Sequence, residues 1–111
     1  MSFQELVQTL KQAPLDETRK ESEGYFEFVL NASDLSVVYP ALEQYFGVPF
    51  KPPGIKPSKE ASLYAKEYGG IEKQQTLYYR EDAGVSNCAM IWPWNDGVRV
   101  TVKVARGQIK K

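Results

Sequence analysis

The chain has no histidine and a single cysteine, Cys88, among its 111 residues. Without histidine there is no Ser-His or Cys-His pair to activate a nucleophile, no imidazole base and no histidine-ligated metal. A lone thiol forms no intrachain disulfide and cannot build a thiolate zinc site. Catalysis would have to run on Asp, Glu, Lys, Tyr or an unassisted thiol, which weighs against an enzyme, and no motif asks for a cofactor or a metal. Net charge is missing too. Fourteen Lys and Arg balance fourteen Asp and Glu, so no overall field draws the chain to nucleic acid or to an anionic membrane. No run approaches the roughly 18 apolar residues of a membrane span, and the opening "MSFQELVQTLKQAPLDE" has neither the basic nor the apolar region of a secretory signal. A cytoplasmic protein that makes no use of a membrane is expected.

What the chain contains suffices for a core. A domain of this length buries roughly two-thirds of the surface exposed by its unfolded chain. Seven Tyr, five Phe and two Trp make an aromatic-rich interior. One domain is expected over residues 1–111, with residues 1–23 as an N-terminal helix and a solvated connector.

Phe3, Leu6, Val7 and Leu10 recur at helical spacing, with Ser2 and Glu5 placed as a capping box and Pro14 as a stop. "PLDETRKESEG" reads as a polar connector. "YFEFVLN" alternates as a strand, with Phe26, Phe28 and Leu30 on one face. Helical spacing returns through Leu35, Val38, Tyr39, Leu42 and Phe46 and closes at Gly47, but Pro40 predicts a late start or a kink. "VPFKPPGIKPSK" can be neither helix nor central strand. Ser58 caps a short helix whose inner face carries Ala61, Tyr64, Ala65 and Tyr68; a strand turning at Gly69-Gly70 is the competing assignment. From Ile71 onward three strands follow as a β-meander. The expected class is α+β: two to three helices packed on one face of a mainly antiparallel four-stranded sheet. If the Tyr25 strand lies beside the Ile71 strand, that pair is parallel.

The turn in "WPWNDGVRV" decides which way two tryptophans face, because a one-residue shift of register turns every side chain over. A two-residue loop at Asp96-Gly97 sets Trp92 opposite Thr101 and Trp94 opposite Arg99, displaying both rings beside Arg99 and Lys103. A three-residue loop sets Trp94 opposite Val98, Trp92 opposite Val100, Met90 opposite Val102 and Cys88 opposite Val104. Burial of a large aromatic outweighs the difference between permitted turns, so the three-residue register is expected, with both tryptophans in the core.

Two candidate binding surfaces emerge. Lys51, Lys56 and Lys59 in and after the proline loop form an anion clamp, or else are the solvated lysines of a stiff connection. Tyr78, Arg80, Arg99 and Lys103 form a basic and aromatic sheet face, or else its ordinary solvent side. Seven tyrosines suggest a pocket or interface between the proline loop and the sheet, where one end of each ring stays wet. Pro93 marks an edge that could pair with another chain or be covered by the proline loop. Three functions follow in order of preference. The first is an interaction or accessory domain that binds a protein partner or itself, as a homodimer, without catalysis. The second is an anion or nucleic-acid binding module. The third is a histidine-independent enzyme using Asp, Glu or Tyr, with Glu81 and Asp82 as adjacent carboxylates.

Overall fold

The computed structural model describes residues 1–108; of the domain expected over 1–111, the last three residues lie outside the described part. In chain order the elements are α1 (Phe3–Leu10), β1 (Glu17–Ser22), β2 (Tyr25–Asn31), α2 (Leu35–Phe46), α3 (Lys59–Ala65), β3 (Thr76–Asp82), β4 (Val85–Pro93) and β5 (Arg99–Gln108). Short 3-10 turns precede α2 and follow α3. All neighbouring strands are antiparallel, in the order β1-β2-β5-β4-β3. The α+β class is as expected, but there are five strands rather than four, and helices cover both faces of the sheet rather than one.

The extra strand is β1, in the expected connector. Its six residues, ETRKES, are all exposed, so no apolar alternation announced it. It forms an edge through a Glu23-Gly24 hairpin turn to β2, and a bulge between Thr18 and Lys20 breaks its ladder. Charged side chains and a bulge are devices that keep an edge from pairing further.

Strand β2 pairs with β5 rather than with β3, so no parallel pair forms. Phe26, Phe28 and Leu30 stand opposite Val104, Val102 and Val100. The two strands thus merge their apolar faces into one continuous surface. On these side chains pack Phe3, Leu6 and Leu10 of α1 and Val38, Leu42 and Tyr45 of α2. Helix α1 carries the expected reciprocal cap between Ser2 and Glu5. Helix α2 runs through Pro40, whose ring is exposed; the missing N–H costs one hydrogen bond without ending the helix.

On the opposite face lies a second core. Ala61 and Ala65 of α3 sit on Leu77, Cys88, Met90 and Ala105, ringed by Tyr25, Tyr64, Tyr68, Tyr79 and Trp92. Helix α3 is capped by the Ser58 hydroxyl, which accepts from the Ala61 amide at 3.1 Å, and its extension ends at Gly69 in the left-handed region. The helical reading of residues 58–69 therefore holds. Residues 71–75 are loop rather than strand.

The β4–β5 register corrects the sequence reading. Cys88 pairs with Ala105, Met90 with Lys103 and Trp92 with Thr101, and the Trp94 amide donates to the Arg99 carbonyl at 2.9 Å. This is the register of a two-residue turn, reached by a four-residue loop, 95–98. Within the loop the Asp96 carboxylate accepts from the amides of Val98 (2.8 Å) and Arg99 (3.0 Å). The burial argument failed because it took one face of the sheet to be wet. With α3 covering the second face, Cys88 and Met90 are buried there and Trp92 is half-buried, while Val98, expected opposite Trp94, is 53% exposed.

The β3–β4 hairpin turns on Ala83 and Gly84, both with positive φ (50° and 79°), as a two-residue primed turn requires. Alanine is the strained member. Ala83→Asn is expected to raise stability by about 0.5–1 kcal/mol, read from the urea unfolding midpoint; a lowered midpoint would refute the strain.

Candidate functional site

The expected lysine clamp does not form around Lys51. That side chain is buried, and its ammonium donates to the backbone carbonyls of Glu72 (2.9 Å), Lys73 (2.6 Å) and Gln75 (2.5 Å). Its backbone exchanges two 3.0 Å hydrogen bonds with Leu77. Lys51 therefore staples the proline loop to the edge of β3 and gathers the 72–75 loop against it. An ammonium spent on three carbonyls is unavailable to a ligand. Burial lowers its pKa. Lys56 and Lys59 remain exposed.

The expected basic sheet face is likewise divided. The register puts Tyr78 and Arg80 on the α1/α2 face and Arg99 and Lys103 on the α3 face. Tyr78 is buried in the core, with Phe46 5.8 Å away centroid to centroid. Arg80 donates to the Tyr45 carbonyl at 2.9 Å. Lys103 is 8% exposed; its ammonium donates to the Tyr68 carbonyl at 2.9 Å and lies 3.4 Å from the Trp92 ring centroid. Burial lowers its pKa, with Glu27, its cross-strand neighbour, opposing the shift. Arg99 does remain at the surface. It flanks the Trp94 ring at 5.5 Å, Arg19 of the β1 bulge flanks it at 5.3 Å, and the indole N–H donates to Thr101 at 2.8 Å. Each guanidinium also has a carboxylate, Asp16 at 3.8 Å for Arg99 and Glu17 at 3.4 Å for Arg19. The ring and its flanking charges are therefore held as a closed set.

The tyrosines lead to the surface that the structure does assemble. Tyr64 of α3 and Tyr79 of β3 stack face to face, with centroids 3.7 Å apart and planes 2° from parallel. Phe50 of the proline loop meets both edge-on, at 5.4 and 6.2 Å. The phenol of Tyr79 donates to Glu81 at 2.8 Å and that of Tyr64 to Glu60 at 3.3 Å, so each ring keeps one wet end. Burial, reinforced by those carboxylates, raises both phenol pKa values. Phe50 is 43% exposed, and Leu63, next to Tyr64 on α3, is 66% exposed. Phe50 was missed because a phenylalanine between prolines looks like core until its partners are known.

This cluster adjoins an open edge. In an antiparallel strand both backbone groups of alternate residues point the same way. The outward groups of Leu77 are taken by Lys51, so those of Tyr79 and Glu81 point outward as well, and among the described residues neither makes a backbone hydrogen bond to the proline loop. The expected covering of the meander edge by the proline loop is thus partial. It stops just where the aromatic cluster begins.

Chemistry at Cys88 is disfavoured by position: the thiol is buried and its pKa is pushed up to about 12, chiefly by desolvation. Among the described residues no three His, Cys, Asp or Glu side chains group to hold a metal ion, and no helix is long and apolar enough to cross a membrane. Comparison of the chain with protein-family models, with curated proteins and with solved structures finds no match.

Three outcomes test this geometry. Lys51→Met should cost about 2–4 kcal/mol by stranding three carbonyls, while Lys56→Met should change stability by less than about 0.5 kcal/mol; equal effects in urea unfolding would contradict the staple. Gly69 has φ +103°, and a Cβ there would meet Trp92 Cη2 at 2.5 Å, so Gly69→Ala should cost about 2–3 kcal/mol. Finally, Tyr25, Tyr45, Tyr64, Tyr68, Tyr78 and Tyr79 are raised above the ordinary 10.0 and Cys88 above 9.0. Groups that hold their protons more tightly when folded contribute stability that is complete below their unfolded pKa and lost as pH rises past it. Lys51 and Lys103, lowered from 10.5, act in the opposite sense but are two against seven. Stability should therefore fall from pH 9 to 11, and a flat or rising unfolding midpoint over that interval would be inconsistent with the burial described.

Proposed function

We propose that this chain is a non-catalytic, cytoplasmic interaction domain that binds a protein partner at the open edge of β3. The observation that carries the reading is the juxtaposition of a half-exposed aromatic cluster, Phe50 on the Tyr64–Tyr79 stack, with the outward backbone of Tyr79 and Glu81, which has no backbone partner among the described residues. An extended segment can add to such an edge through main-chain hydrogen bonds while its side chains find the apolar flank. The stiff proline loop presents Phe50 without needing to be ordered on binding, which limits the entropy lost.

A second copy of the chain is the poorer occupant of this edge. Lys51 already fills the place opposite Leu77, so a two-fold pairing must centre on Arg80 or beyond. That sets Arg80 against Arg80, or Glu81 against Glu81, and like charges directly opposite are destabilising. A different chain, with an apolar residue near Tyr79 and a basic one near Glu81, meets no such conflict.

The test is photo-crosslinking in cells, with a benzophenone amino acid in place of Leu63 and a control at exposed Gln12. A discrete adduct at position 63 only, lost in Phe50→Ser and in Glu81→Pro, is expected. Glu81→Pro removes an outward N–H without breaking the ladder to β4. No adduct, an adduct indifferent to both changes, or one at twice the 12.6 kDa chain mass would overturn the reading.

A further inference from the structure

At the other end of the α1/α2 face, three polar side chains form a row across neighbouring strands. Asn87 of β4 stands opposite Arg80 of β3 on one side and Arg106 of β5 on the other. The row lies at the C-terminal end of α2, where the Tyr45 phenol donates to Asn87 Oδ1 at 2.9 Å and the Arg80 guanidinium sits 5.1 Å from the Tyr45 ring centroid. A cavity of about 400 Å³ opens here, lined by Tyr45, Asn87 and Arg106, with Glu23 and Asp82 also on its wall.

Two donor groups face this cavity with capacity to spare. Asn87 is 3% exposed, yet its amide nitrogen has only a long 3.4 Å contact to the Val85 carbonyl two residues away. A buried amide nitrogen carries two protons, and leaving one unmatched is costly. Arg80 spends its charge on Asp82 at 3.4 Å and a bond on the Tyr45 carbonyl. Among the described residues Arg106 forms no ion pair, and its guanidinium carbon lies 5.5 Å from the Phe3 ring centroid. A fork of guanidinium N–H groups beside an amide N–H is the donor set that a planar carboxylate accepts with its two oxygens.

We propose that this cavity binds a carboxylate, borne by a small organic acid or by the end of a peptide, between Arg106 and the Asn87 amide. The site is separate from the edge of β3 and does not depend on the function proposed there.

The experiment is a titration of the full chain, labelled with nitrogen-15, followed at the Asn87 side-chain amide and Arg106 Nε signals. The probes are sodium acetate and N-acetylglycylglycine, with N-acetylglycylglycinamide and sodium chloride as controls. Saturable shifts with the two carboxylates and none with the controls are expected; stronger binding of the peptide assigns the site to chain ends, and equal binding to small acids. Arg106→Gln, a change at an exposed residue, should weaken binding roughly tenfold, and Glu23→Gln should tighten it by removing a competing negative charge. Absence of saturation, shifts matched by the amide control, or equal affinity in wild type and both variants would overturn the proposal.

Discussion

The register of β4 against β5 is the constraint on which most of the structure depends. The pairing of Trp92 with Thr101 sends Cys88, Met90, Trp92 and Trp94 to one face and Ala89, Ile91 and the valines of β5 to the other. Both faces are then apolar, and each needs a cover. Helices α1 and α2 supply one and α3 the other, which is why the domain has three layers. The loop makes this register possible locally: the Asp96 carboxylate satisfies two amides that a turn of this length leaves without backbone partners. Pro93 fits the same register. It stands opposite Val100 in a pair that exchanges no hydrogen bonds, and its nitrogen faces past the end of β3, which pairs no further than Ile91.

Lys51 does for the loops what this register does for the strands. A proline-rich connection has few N–H groups with which to bind itself to the domain. One ammonium with three carbonyl acceptors, plus one bridge to Leu77, replaces the missing backbone bonds. The arrangement holds Phe50 over the Tyr64–Tyr79 stack and leaves the rest of the β3 edge open. Position of the aromatic cluster and openness of the edge are thus two results of one buried side chain.

Much of the fold was legible in the chain. The helix over Phe3–Leu10 with its Ser2–Glu5 cap, the Tyr25–Asn31 strand, the Ser58 cap and the final alternating strand all declare themselves through local periodicity and capping chemistry. What escaped is non-local. Strand β1 has no apolar side to betray it, because an edge strand beyond the reach of the helices has nothing to bury. The hairpin register was misjudged because the value of burying Trp92 depends on whether α3 crosses the second face, a tertiary fact. Lys51 looks like its neighbours Lys56 and Lys59 in sequence, and only the loop that folds over it separates a staple from a solvated charge. Of the residues proposed for binding, Arg80 neighbours the carboxylate cavity and Lys51 positions the docking edge without being free to bind; Tyr78 is core, Lys103 is structural, Arg99 belongs to the Trp94 set, and Lys56 and Lys59 are exposed.

Cross-strand contacts between α-protons test the register, and with it the layering, most directly. In the structure described, close α-proton pairs fall at the positions that exchange no hydrogen bonds, Ile91 with Val102 and Pro93 with Val100, and nuclear Overhauser effects should connect these two pairs. Effects joining Ile91 to Thr101 and Pro93 to Arg99 would establish the other register, return the tryptophans to the valine face and remove the second core against which α3, the tyrosine stack and the proposed docking edge are built.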